Sequence, residues 1–153
     1  MSEDVEVKLY LDHVRVEVEK ATIEVLKALG FRIVERAQLN IRSNDQIDTG
    51  FMVNSIYPIW VDGSGYSKAA GQAAEQTHSK KTGREVDHTN DMAPEEQLPS
   101  DAAAGVVVGA VYAIYQEALN PFLYTAAEQS ASEFGGIAEK IYREVLPEEG
   151  PKA

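Results

Sequence analysis

From Val14 onward, apolar residues return every three or four positions through Val18, Ala21, Val25, Leu29, Ile33, Ala37 and Ile41, a stripe long enough to commit this part of the chain to one long helix. Glu17, Glu24, Lys27, Glu35 and Gln38 fall largely on the opposite side. Ile23, Leu26, Phe31 and Val34 widen the apolar face beyond a single stripe, which predicts packing against a sheet and a further surface together. Gly30 marks a bend or a close approach by a neighbour. Ahead of the helix, Val5, Val7, Leu9 and Leu11 alternate with Glu6, Lys8 and Tyr10. That period of two predicts a short strand, or an arm pairing with a neighbouring subunit.

The helix is expected to end in Arg42-Ser43-Asn44-Asp45. Asp48-Thr49-Gly50 then reads as a turn, its Asp capping free amides and its Gly taking a positive φ. Met52 to Val61, rich in β-branched and aromatic residues, predicts a strand in which Pro58 marks an edge position or a bulge. Residues 62–104 turn to Gly, Ser, Lys, Gln, Thr, Asp and Pro and are read as one long loop, too polar for a core of its own. Within it, residues 69–76 carry a short helical tendency, and Lys68, Lys80, Lys81 and Arg84 precede an acidic second half. A loop of that length is expected to order only when subunits or partners surround it.

Val106, Val107, Val108 and Val111 predict a central strand, apolar on both faces, followed by a helical turn over Tyr112 to Glu117. Asn120-Pro121 reads as an N-cap followed by proline at the first helical position. The second long helix would then bury Leu123, Ala126, Ala127, Ser130, Phe134, Ile137, Ala138, Ile141 and Val145, with Gly135-Gly136 as a kink and 147–153 as a polar tail. The expected fold class is therefore α+β: a small antiparallel or mixed sheet packed against a long N-terminal helix and a C-terminal helix, in a single domain over 1–153.

Charge narrows the function classes. Against 14 Lys and Arg stand 25 Asp and Glu, a formal net charge of -11, which argues against a protein that grips nucleic acid by its phosphates. With no cysteine there is neither a disulfide framework nor a thiolate nucleophile or ligand. The acidic N-terminus lacks the basic start of a secretory signal, and the longest apolar stretch, Val106 to Tyr115, is too short to span a bilayer. A soluble protein without membrane association is the expectation.

Three separated signatures, Asp48-Thr49-Gly50 with Ser55-Ile56 after it, Val108 to Glu117 as V-G-A-V-Y-A-I-Y-Q-E, and Pro121-Phe122-Leu123, stand in the order found in the head-tail joining, or tail-completion, family of tailed phages. The chain resembles that family over nearly its whole expected ordered length. The resemblance implies a structural virion protein, not an enzyme, without cofactor or metal. It would form a homo-oligomeric ring in the neck, a hexamer by preference or a dodecamer, beside head-closure and tail-terminator proteins, with DNA passing through the lumen unbound. It also implies structural roles for Asp48, Thr49, Gly50, Ser55, Tyr112, Ala113, Glu117, Pro121 and Phe122: Asp48 and Gly50 fixing the turn, Ser55 setting the strand start, Tyr112 packing while offering a hydroxyl to a neighbour, and Phe122 anchoring the last helix. Glu117 would serve either as a solvated or capping carboxylate within one subunit or in an ion pair between subunits. The chain departs from the family where Glu117 runs into Ala118-Leu119-Asn120 in place of an aromatic and Gly-Thr, where Thr125 replaces a second proline, and in its longer 62–104 loop.

Alternatives within the virion are a tail terminator or a head-closure ring. From another class comes an aspartic protease, for which Asp48-Thr49-Gly50 would supply one of two carboxylates sharing a proton, with Val106 to Gly109 resembling the apolar-apolar-Gly element of such enzymes. Only one such triplet is present, so dimerisation would be required. A metal hydrolase built on His78, Asp87, His88 and Asp91 has acceptable ligand types but no rigid helical spacing, and His13 is the one remaining histidine.

Overall fold

The computed structural model describes the backbone of residues 2–145 and the side chains of residues 18–144. Helix α1 (Ser2–Ser43) runs for 42 residues, about 63 Å at 1.5 Å per residue. Ala21, Val25, Ala37 and Ile41 are buried along its predicted face. The strand expected at Val5 to Leu11 is instead the first part of this helix. Val7, Leu11, Val14 and Val18 also stand four, three and four apart, so the helical register simply continues and overrides the alternation. The side chains of His13, Val14 and Val145 and the expected tail at 147–153 lie outside the described residues.

After α1 come α2 (Phe51–Asn54), β1 (Ile56–Trp60), β2 (Gly63–Ser64), α3 (Tyr66–Ala74), β3 (Ala104–Val108), α4 (Ala113–Leu119), α5 (Leu123–Ala131) and α6 (Phe134–Val145). The sheet is antiparallel in the order β2-β1-β3, with Ile56 opposite Val108, Pro58 opposite Val106 and Trp60 opposite Ala104. The expected α+β class, with a small sheet against a long N-terminal helix and C-terminal helices, is the observed one. Two strand assignments change. Residues 51–54 form a helical turn because Thr49 Oγ1, Asn54 and Ser55 return to nearby backbone groups, so the strand starts only at Ile56. β3 lies at the sheet edge, not in its centre, and its valines are half-buried because α1 covers one face.

Pro58 occupies the middle strand without breaking it. Its carbonyl accepts from the Gly65 amide, so its ring nitrogen also faces the side of β2, where only two residue pairs form and no donor is missed. Gly30 of α1 lies directly over it. A Cβ there would sit 3.1 Å from Pro58 Cβ, so the glycine sets how closely helix and sheet approach.

The core gathers Ala37 and Ile41 of α1, Phe51, Met52, Val53 and Ile56, Ala73 of α3, Ala110 and Ala113, and Phe122 and Ala126. The segment expected as one structureless loop over 62–104 divides into β2, α3 and an irregular stretch tied to its own chain. Tyr66 donates to the Ala93 carbonyl, the Glu96 amide donates to Tyr57, and the amides of Ala93 and Val111 donate to the carbonyls of Gly109 and Asp91. Its polar composition is thus compatible with order within one chain, because backbone and side-chain hydrogen bonds replace a private core. The second long helix is interrupted between α5 and α6 at residues 132–133, leaving Gly135-Gly136 in the first turn of α6. Glu133, at that break, holds Arg32 at 2.8 Å and also pairs with Arg36, joining the break to α1. No helix among the described residues is long and apolar enough to cross a membrane.

Candidate functional site

The end of α1 delivers the chain into the Asp48-Thr49-Gly50 turn, where Gly50 takes a φ of 90°. Asp48 works at long range. Its Oδ1 accepts from the Ser79 hydroxyl at 2.7 Å and the Lys81 amide at 3.0 Å, while its carbonyl accepts from the Lys80 amide. The Lys81 amide, and after it the Ser79 hydroxyl, hold the Asp48 carboxyl below the usual carboxylate range.

Thr49 Oγ1 accepts from the Phe51 amide and lies 3.1 Å from His88 Nε2. On the other side of the ring, His88 Nδ1 lies 2.7 Å from Asp91 Oδ2. Because the Asp91 carboxylate only accepts, Nδ1 donates to it, and in the neutral tautomer Nε2 accepts from the Thr49 hydroxyl. His88 also stacks on Phe51, centroids 4.3 Å apart, and its side chain is 7% exposed. The order hydroxyl, imidazole, carboxylate is that of an activated nucleophile. Here Thr49 Oγ1 is also engaged by a backbone amide, and the ring is enclosed against Phe51.

Tyr112 packs beside this network, its ring 6.4 Å from Phe51. Burial, and after it the charges of Asp91 and Asp48, push its hydroxyl up to about 12. That hydroxyl is engaged by the Met52 backbone of its own chain. Together residues 44–47 that follow α1, the turn, Lys81, Val86, His88, Asp91, Tyr112 and Gln116 border an open cleft of about 430 Å³.

Ser55, fully buried, joins the turn to the second motif: its hydroxyl donates to the Met52 carbonyl and accepts from the Ala110 amide, and its carbonyl accepts from Gly109. Ala113 is buried one turn further on. Glu117 faces inward from α4 and accepts from three successive amides, those of Phe122 at 2.9 Å, Leu123 at 3.0 Å and Tyr124 at 2.9 Å. Burial alone would raise its pKa; the three amides outweigh that and leave the carboxyl below its ordinary value.

The expected cap at Asn120 is therefore corrected. Asn120 is extended at the end of α4, Phe122 is the N-cap residue of α5, and Pro121 lies just outside the helix. Glu117 reaches the amides that Asn120 was expected to serve, because the short Asn120-Pro121-Phe122 connection folds α4 back onto the start of α5. Phe122 is completely buried.

Comparison with known protein families, curated proteins and solved structures finds no match. The arrangement must be read from its own chemistry.

The metal grouping of His78, Asp87, His88 and Asp91 is not brought together: His78 pairs with Glu85 at 3.2 Å and Asp87 binds Thr89, leaving only His88 beside Asp91. No group of three or more His, Asp or Glu side chains among the described residues is placed to hold a metal ion. The sequence reading missed the link from Thr49 to His88, which crosses 39 residues. Its only local trace was the three-residue spacing of His88 and Asp91.

Proposed function

We propose that this chain is a structural subunit of the neck of a tailed-phage virion, building a ring that joins or completes the head-tail connection and lets DNA pass. A hexamer is preferred and a dodecamer is the next choice, with head-closure and tail-terminator proteins as neighbours. One observation carries the structural reading. Asp48, Thr49 and Ser55 of the first signature and Glu117 of the second all bind backbone amides of their own chain, Glu117 those of Phe122 and Leu123 in the third. Their side chains are engaged in architecture, and the segments that carry the resemblance converge on one core around Phe51, Ala110, Ala113 and Phe122. The formal charge of -11 suits a lumen that repels phosphates.

Electron microscopy of a lysate from a phage carrying a nonsense mutation in this gene tests the proposal. DNA-filled heads separate from tails, or joined particles that do not infect, are expected; normal infectious virions would overturn it.

The protease reading of Asp48 needs a carboxylate that shares a proton with a second one. The hydrogen bonds from Ser79 and Lys81 favour the ionised form instead. Asp48→Asn nearly preserves shape while removing a catalytic carboxylate. Unchanged virion production with this variant is the expected result, and unprocessed proheads would revive the protease.

A further inference from the structure

α4 is amphipathic the wrong way round for a surface helix. Its polar residues turn away from its solvent face, Glu117 onto the α5 amides and the Gln116 side chain onto Gln46 at the rim of the cleft. Its outward face carries Ile114, Tyr115 and Leu119, exposed by 73%, 72% and 74%. Val111, just before the helix and three and four residues from Ile114 and Tyr115, is 53% exposed. A helix that turns its polar side chains inward and its apolar ones outward leaves an unpartnered apolar surface.

We infer that this face docks a second copy of the same chain. The inference rests on the ring reading above and names the contact that would build the ring. Two observations select the occupant. The first is area: one tyrosine and three aliphatic side chains exposed to this degree offer on the order of 500 Å², so two copies meeting here would bury about 1,000 Å² together, the lower limit of a specific interface. The second is charge. Residues 102–127 contain a single Asp, Glu, Lys or Arg, Glu117, and it is turned inward, in a chain whose net charge is -11. Two copies of so acidic a molecule repel through most of their surfaces, and this is where they meet with least electrostatic cost. A basic partner would instead be expected to seek the acidic surface.

Sedimentation velocity of the purified full-length chain at the highest soluble concentration tests this, with Tyr115→Asp and Leu119→Asp beside it. Both side chains are mostly in solvent, so thermal melts should match the parent. Leu39→Asp, at a half-exposed site on α1, is the control. The parent and the control should sediment as assemblies larger than the 16.8 kDa protomer, and either α4 variant should weaken self-association by roughly a hundredfold. A parent that stays monomeric overturns the inference, as do α4 variants that assemble like the parent. Assembly that survives in the α4 variants removes this face and leaves the ring standing. The neck role itself is decided separately by the nonsense-mutant particles.

Discussion

Thr49 and His88 are joined by a hydrogen bond that fastens the loop to the turn, and among the described residues neither the Thr49 hydroxyl nor His88 Nε2 has another side-chain partner; in the neutral tautomer the hydroxyl donates and Nε2 accepts. Thr49→Val keeps the shape and removes the donor, stranding an acceptor on a ring that is 7% exposed. Urea denaturation should show a loss of about 1–3 kcal/mol, the cost of an unsatisfied buried polar group. In a His88→Phe background, which retains the stacking on Phe51, the same change should cost far less. Equal losses in both backgrounds would mean that the bond contributes nothing.

Glu117→Gln should destabilise the fold by about 1 kcal/mol, in the range of a lost helix cap. It should also change the acid limb of stability. The folded-state pKa lies below the ordinary carboxylate value, so the contribution of Glu117 is complete above about 4.3, the unfolded value, and is lost as pH falls through the lower folded value. Denaturation midpoints measured across that window should fall less steeply in the variant than in the parent. Parallel curves would show that the three amides do not favour the charged form.

Asp48→Ala should loosen the stretch around Lys80, Lys81 and Arg84, all exposed and tied to the turn by the hydrogen bonds that Asp48 accepts from Ser79, Lys80 and Lys81. Trypsin should cut there faster by roughly an order of magnitude, because cleavage of a locally opened segment follows the population of the open form. Mass spectrometry of the first fragments gives the site. Unaltered cleavage would mean that the stretch is secured elsewhere.

The regular elements were largely legible because their evidence is periodic: Ala21, Val25, Ala37 and Ile41 declare the buried face of α1 by spacing alone, and Tyr57 and Ile59 declare a strand by shape. What escaped was set by partners distant in the chain. Nothing local to Asp48 points to Ser79, or to Thr49 to His88. The misplaced cap at Asn120 belongs to the same kind, since local preference named the neighbouring side chain while folding α4 back brought Glu117 within reach of the same amides. Val5 to Leu11 failed differently: two periods fitted the same residues, and the longer uninterrupted register won.

The pairing of Ile56 with Val108 has a kinetic consequence. β1 and β3 cannot zip together until everything between them has been gathered in, so folding must await a contact remote in the chain, which is slow to find. The bonds from Asp48 to Ser79 and from Ser64 to Glu95 split that one wide closure into narrower ones that can be met in turn. Trp60, the single tryptophan, lies in β1 and reports when the sheet closes. In stopped-flow refolding, Asp48→Ala should therefore delay the tryptophan signal; an unchanged refolding rate would place the clasp after the sheet in the order of events.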